Sequence, residues 1–176
     1  MNRKLKLNEL NRLSIDDFKK TKKNSVIVVL NNIRSLNNVG SFFRTCDAFA
    51  VEKVILTGIT ATPPHKEIRK TALGATESVD WEYAESCLSV VAKHKETGYK
   101  CYAIEQTSNS IDLTSLNYNS EPVLLIFGNE VNGVDQEVID LCDHSLEIPQ
   151  FGTKHSFNVS VSAGIVLWHF IHQLIK

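Results

Sequence analysis

No apolar run in this 176-residue sequence approaches the length that a bilayer-spanning helix needs. The opening MNRKLKLNEL has no apolar core after its basic residues, so it does not read as a signal peptide. The four cysteines, Cys46, Cys87, Cys101 and Cys142, form no C-x-x-C pair and no close Cys/His cluster. That spacing argues against a disulfide framework and against a zinc site, and leaves small buried hydrophobes as the simple role. Internal repeats, low-complexity tracts and an interdomain linker are also missing. The expectation is one cytoplasmic domain with neither a membrane nor a metal as partner.

What is present fits that expectation. Apolar residues make up 43% and charged residues 22%, in a chain long enough for a full-sized core. A net charge of −1 hides an asymmetry, because Arg3, Lys4, Lys6, Arg12, Lys19, Lys20, Lys22 and Lys23 crowd the first segment. Either a polyanion partner or a solvated terminal helix explains them. Leu7, Leu10, Leu13 and Phe18 predict a short amphipathic helix over 7–20.

SVIVVLNNI is a β-branched run without polar alternation, which suits a strand buried on both faces. Asn38 to Ala50 has helical period, with Asn37 or Asn38 as its cap, and EKVILTGI predicts a second strand. TPPH breaks regular structure, and KEIRKTALGATESV offers a helical turn ended by Gly74. A helix is expected over 82–96, strands at YKCYAIEQ and PVLLIFGN, a short helix from Val134 to Cys142 and a strand at HSLEIP. A last helix runs from about Val159 to the C-terminus. Strands alternating with helices mean an α/β fold, a parallel sheet flanked by helices on both faces. Ligands of such sheets gather at the carboxyl ends of the strands. Three loops should meet there: the one after Ile33, GNEVNG at 128–133, and PQFGTKHS at 149–156.

GNEVNG has glycines five apart, but Val134 and Asp135 stand where a phosphate loop needs Lys and Ser or Thr. No G-x-G-x-x-G is present, so a tight strand-to-helix turn is the plain explanation. Glu130 can bond to free N–H groups at a helix start or pair with a cation, and Asp135 suits the dipole of the following helix. Arg44 sits among Phe42, Phe43, Cys46 and Phe49 and needs an anionic partner; Asp47, three residues on, is the simple one. Ser156 or Asn158 can cap the last helix, which leaves the rest of Ser156, Asn158, Ser160 and Ser162 to be explained. His169 and His172 have a spacing that can bind metal, but no third ligand is evident and polar tips at a helix end suffice.

LNNIRSLNNVGSFFRTCDAFAV, LLIFGNEVNGV and IPQFGTKHSFNVSVSAGIV, in that order, resemble the three motifs of the SPOUT superfamily, specifically its SpoU/TrmH-type RNA ribose 2′-O-methyltransferases. KTALGATESVDW also resembles the stretch after the second strand in many members. The likeness covers residue 26 to the C-terminus and implies what spacing does not: a deep C-terminal trefoil knot, a homodimer, and S-adenosyl-L-methionine held in the knotted loops. It implies a methyltransferase domain over 25–176 behind a basic extension of 1–24, too short for a further RNA-binding domain.

Carried onto this chain, the family pattern makes Arg44 the group that handles the RNA phosphate and the ribose 2′-hydroxyl. Since arginine stays protonated, holding the phosphate and stabilising a developing alkoxide suits it better than acting as a base. Asn38 would orient the arginine or the RNA backbone, and Glu130 would brace its loop or pair with Arg44, across the dimer. Ser156 and Asn158 would hold the hydroxyl, the cofactor or Arg44 in line. Gly128, Asn129, Gly133, Ile148 and Phe157 would line the cofactor site, with Ile104 and Glu105 beside it and Thr57 and Gly58 approaching it. RNA contact would fall to His65, Lys66, Arg69, Lys70 and Lys154, with tRNA favoured over rRNA. Ala50, Gln150 and Phe157 depart from residues frequent in the family without removing a proposed catalytic group. The alternative is a non-catalytic RNA-binding module with the same fold.

Overall fold

The structure is a computed structural model and describes residues 2–175, except for the side chain of Leu7. Its core is a seven-stranded sheet, all pairs parallel, in the order β3-β2-β1-β6-β4-β7-β5. In chain order the strands are β1 Asn24–Asn31, β2 Val51–Thr57, β3 Trp81–Ala84, β4 Lys100–Ile104, β5 Ile111–Asp112, β6 Val123–Phe127 and β7 His144–Glu147. The helices are α1 Ile15–Lys20, α2 Leu36–Ala48, α3 Lys66–Ala72, α4 Ala75–Ser78, α5 Cys87–Glu96, α6 Gln136–Leu141 and α7 Val159–His172.

Strand β1 lies between β2 and β6, and its run Val26–Leu30 is buried on both faces, as an uninterrupted β-branched sequence requires. Its side chains divide by period two. Val26, Val28 and Leu30 face α2 and α7, packing with Val39, Phe42, Phe43, Val166 and Phe170. Ile27 and Val29 face α5 and α6, with Val90, Val91 and Val138. Phe42 meets Phe127 edge-on at 5.1 Å, which locks α2 over the end of β6. Removing either fully buried ring would cost about 3–5 kcal/mol.

Some elements depart from the sequence reading. The helix expected over 7–20 is instead a 3-10 turn at Leu7–Glu9 and the short α1, because Asn11 takes a positive φ of 48° and Ser14 caps a new start. The stretch 82–96 opens as edge strand β3, and the helix begins only after Ser86, whose hydroxyl accepts from the Ser89 N–H. Helix α3 ends at Leu73, itself left-handed at φ 50°, one residue before Gly74. The cap of α2 is Ser35 and not an asparagine. All four cysteines are free. Among the described residues, no helix is long and apolar enough to cross a membrane.

Candidate active site

The carboxyl ends of β6, β4 and β7 open into one cavity of about 610 Å³. Loops 104–106, 127–134, 146–150 and 155–159 wall it. The expected residues Ile104, Glu105, Gly128, Asn129, Glu130, Gly133, Ile148, Ser156, Phe157 and Asn158 all line it.

The loop after β6 is shaped by its own backbone. Asn129 and Gly133 exchange two N–H···O bonds of 2.9 Å, and the Asn129 side-chain oxygen accepts from Val131 N at 2.8 Å and Asn132 N at 3.1 Å. So tight a turn leaves no room at Gly128, where a Cβ would stand 2.1 Å from the Gly133 carbonyl carbon. Gly133 has φ +70°, a conformation that favours glycine. Glu105 closes the far side: Oε2 accepts from Val134 N at 3.0 Å and Oε1 from Gln106 N at 2.9 Å.

Glu130 reaches back to the start of α2. Its carboxylate accepts from the N–H groups of Arg34 and Ser35 and from Asn38 Nδ2, each at 3.0 Å. Burial pushes this carboxyl up, but the hydrogen bonds outweigh it and hold the group below its ordinary range. Because Ser35 takes the capping duty, the Asn38 amide is free to work sideways. Its Nδ2 faces a group that only accepts, so Oδ1 must face a donor, which is Asn158 Nδ2 at 3.2 Å. Asn158 Oδ1 in turn accepts from the Ser160 N–H at 2.9 Å and hydroxyl at 2.7 Å, capping α7. One carboxylate therefore orients two amides, and three segments distant in sequence are joined.

Other expected residues lie elsewhere. Thr57 and Gly58 do not line the cavity: they end β2, which β1 separates from β6. Thr57 is buried and donates to the Leu30 carbonyl, while Gly58 borders a second hollow with Asn32 and Asp135. Arg44 is exposed and outside the cavity lining, since six residues at about 100° each turn it off the Asn38 face of α2. Among the described residues its side chain has no ion-pair partner; Asp47 accepts from the Ser78 hydroxyl instead. Asp135 makes no side-chain cap on α6 and accepts from the amides of Asn31 and Asn32. His65, Lys66, Arg69 and Lys70 are exposed along α3 and Lys154 on the third loop. His169 and His172 bond through their rings to the carbonyls of Leu116 and Trp168.

Sequence reasoning missed two pieces. Gln106 ties the β4 end to the third loop through the His155 carbonyl at 2.8 Å. Leu146 and Val159 add apolar wall, a role that their place at element ends beside the loops could have signalled.

The cavity suits a mid-sized ligand with an apolar body and polar ends. Its volume lies within the roughly 300–1,000 Å³ usual for small-molecule sites. Ile104, Phe127, Leu146 and Ile148 form apolar walls, and the absence of a side chain at Gly128 lets the Gly133–Val134 main chain pack against it and close the loop.

Comparison with known proteins gives a consistent picture. The SpoU rRNA Methylase family model matches residues 25–168. The tRNA (guanosine(18)-2′-O)-methyltransferase of Aquifex aeolicus (strain VF5) is 30% identical over 154 residues, covering 84% of this chain and 69% of that protein. The enzyme of the same name from Thermus thermophilus (strain ATCC 27634) is 27% identical over 168 residues, 96% of this chain and 85% of that one. The crystal structure of an AdoMet-bound rRNA methyltransferase from Sinorhizobium meliloti superposes with TM-score 0.81 at 25% identity, over 90% of this chain and 61% of that chain.

Proposed function

Because the chain belongs to the SpoU rRNA methylase family, we propose that it is an S-adenosylmethionine-dependent methyltransferase acting on a ribose 2′-hydroxyl of RNA, with tRNA as substrate. The observation that carries this reading is the Glu130–Asn38–Asn158 chain, which joins all three motif segments at the edge of one cavity. Two relatives named for tRNA ribose methylation support the choice of RNA.

When bound, S-adenosylmethionine supplies a methyl group made electrophilic by its sulfonium. The chain's own residues do the rest. Gly128, Asn129, Gly133, Ile104, Ile148 and Phe157 would hold the cofactor by backbone groups and apolar contact. Ser156 and Asn158 present a hydroxyl and an amide at the third wall, suited to aligning the attacking ribose. The 2′-hydroxyl must give up its proton as it gains the methyl, and that needs electrostatic help. Arg44 is the group we assign to it, by gripping the adjacent phosphate and stabilising the developing alkoxide.

Arg44 lies outside its own chain's cavity, and in the reading proposed here a second copy brings it in. We therefore propose a homodimer across α2 and α7. Val161 and Trp168 are 50% and 56% exposed on α7, and Trp168 packs against Phe49 just past α2. This leaves exposed apolar side chains on α7, packed against the end of the helix that carries Arg44, that a partner can cover. The return of the chain from β7 past loop 128–133 to α7 fits the trefoil knot of the family, which we also propose. Residues 1–24 form the basic arm ahead of the catalytic domain 25–176, and Lys66, Arg69, Lys70, Lys154 and His65 offer further RNA contacts. Free thiols fit a cytoplasmic setting.

Calorimetry with S-adenosylmethionine, followed by mapping of ribose methylation in RNA with and without the protein, tests the reading. Heat of binding and loss of a ribose methyl on deletion are expected. RNA binding without cofactor binding would leave a non-catalytic module of the same fold.

A further inference from the structure

The side chain of Arg34 has no part in the site as described, yet its mounting is unusual. The turn from Asn31 to Ser35 is pinned at every residue. Asn31 and Asn32 donate to Asp135 at 3.0 and 3.1 Å, and the Asn32 carbonyl accepts from Asn129 Nδ2 at 2.7 Å. The Ile33 N–H donates to Thr60 Oγ1 at 2.9 Å, and those of Arg34 and Ser35 donate to Glu130. Arg34 is the one residue of the turn whose side chain is exposed, and among the described residues its guanidinium meets no acceptor. The Glu130 carboxylate, which binds the Arg34 N–H, is already engaged by two backbone donors and the Asn38 amide.

The surroundings favour an anion there. Helix α3 lies alongside α2, joined where Thr71 Oγ1 donates to the Asn37 carbonyl at 3.0 Å. The exposed Lys66, Arg69 and Lys70 thus sit on the helix packed against α2, the helix that begins just after Arg34. With the backbone already fixed only the side-chain rotamers remain to be ordered when the guanidinium binds, and its planar fork matches a phosphodiester.

We propose that Arg34 is a phosphate-binding residue for the RNA strand at the cavity mouth, continuing the basic face of α3 to the reacting nucleotide. The proposal rests on the methyltransferase reading for its substrate. Its role is to hold the strand in register, separate from the group that acts on the hydroxyl.

The test compares wild type, Arg34→Gln and Arg34→Lys, using a pool of tRNA from cells lacking the protein. Arg34→Gln should raise the RNA Kd and KM about tenfold, with kcat within about threefold. The slope of log K against log salt should flatten by about 0.7–0.9, one phosphate contact, and Arg34→Lys should recover most of it. S-adenosylmethionine affinity and Tm should not move, since the side chain touches neither cavity nor core. Unchanged RNA affinity and salt slope overturn the proposal, as does an equal fall in cofactor affinity. Wild type that binds tRNA through Arg34 but transfers no methyl supports the phosphate site and overturns the methyltransferase reading.

Discussion

Asn38 and Glu130 lie 92 positions apart in the chain, and their side chains meet at 3.0 Å. Through that bond the loop after β6 grips the start of α2, and through the second face of the same amide α2 grips Asn158 at the start of α7. Two of the segments that wall the cavity are therefore tied to α2 by one polar chain whose orientation is set by a single carboxylate.

Cutting that chain should cost turnover more than binding. Asn38→Ala removes a bond to a charged acceptor and should lower kcat/KM about 10- to 100-fold, on the scale of such bonds. The Kd for S-adenosylmethionine should stay within about threefold. Asn38→Asp should be worse, because it sets two carboxylates against each other. Steady-state kinetics beside calorimetry checks this; a normal kcat/KM for Asn38→Ala would remove the chain from the mechanism.

Arg44→Ala should reduce methyl transfer by at least about 100-fold, as for loss of a group that stabilises transition-state charge. Its exposed side chain leaves fold and cofactor affinity intact. If the arginine comes from a partner subunit, Trp168→Glu should both shift the protein to monomer in sedimentation and lower turnover in parallel. A fully active monomer contradicts the shared site.

Gly128→Ala should damage the cavity itself. The added Cβ would stand 2.1 Å from the Gly133 carbonyl carbon and 2.2 Å from Val134 N, both backbone atoms that cannot swing aside. Overpacking of this kind costs about 1–3 kcal/mol, or about 3–9 °C in Tm for a chain of this size. Cofactor affinity should fall at least tenfold on the order of the same energy. Differential scanning calorimetry and a binding titration read the two effects; unchanged affinity would show that the turn does not shape the site.

The carboxyl of Glu130 is held below its ordinary value of 4.5, because hydrogen bonds outweigh the upward push of burial. A depressed carboxyl contributes stability in full above its unfolded pKa and loses it as pH falls through the folded value. The Tm advantage of wild type over Glu130→Gln should thus be constant above about pH 5 and shrink on further acidification, near the ordinary carboxylate range. An advantage that grows on acidification would mean that the carboxylate is not the stabilised form.

Much of this architecture was readable in advance. The unbroken run in β1 announced a strand covered on both faces, and the alternation of strands and helices announced a parallel sheet. Strand β3 was hidden because an edge strand of four partly exposed residues carries no clean period and runs straight into the cap of α5. Helix 7–20 was overread because leucine spacing says nothing of a residue such as Asn11 that takes a positive φ. The cavity loops were expected at the carboxyl ends of the strands, but their lining residues came from the resemblance to the family's motifs, since glycines and amides alone read as a tight turn and a helix cap. The placement of Thr57 and Gly58 was not, since strand order, and hence which strand ends share a cavity, is a long-range property. Nor could sequence tell that Ser35 would cap α2 and so release Asn38 for Glu130.

The most direct test follows the label. The protein is incubated with S-adenosylmethionine carrying a tritiated methyl and with unmodified tRNA, and the RNA is then hydrolysed in alkali. A methyl on the ribose 2′-oxygen blocks cleavage of the adjacent phosphodiester, so the label is predicted in alkali-resistant dinucleotides. Label found only in mononucleotides, or no label in RNA at all, would contradict the account.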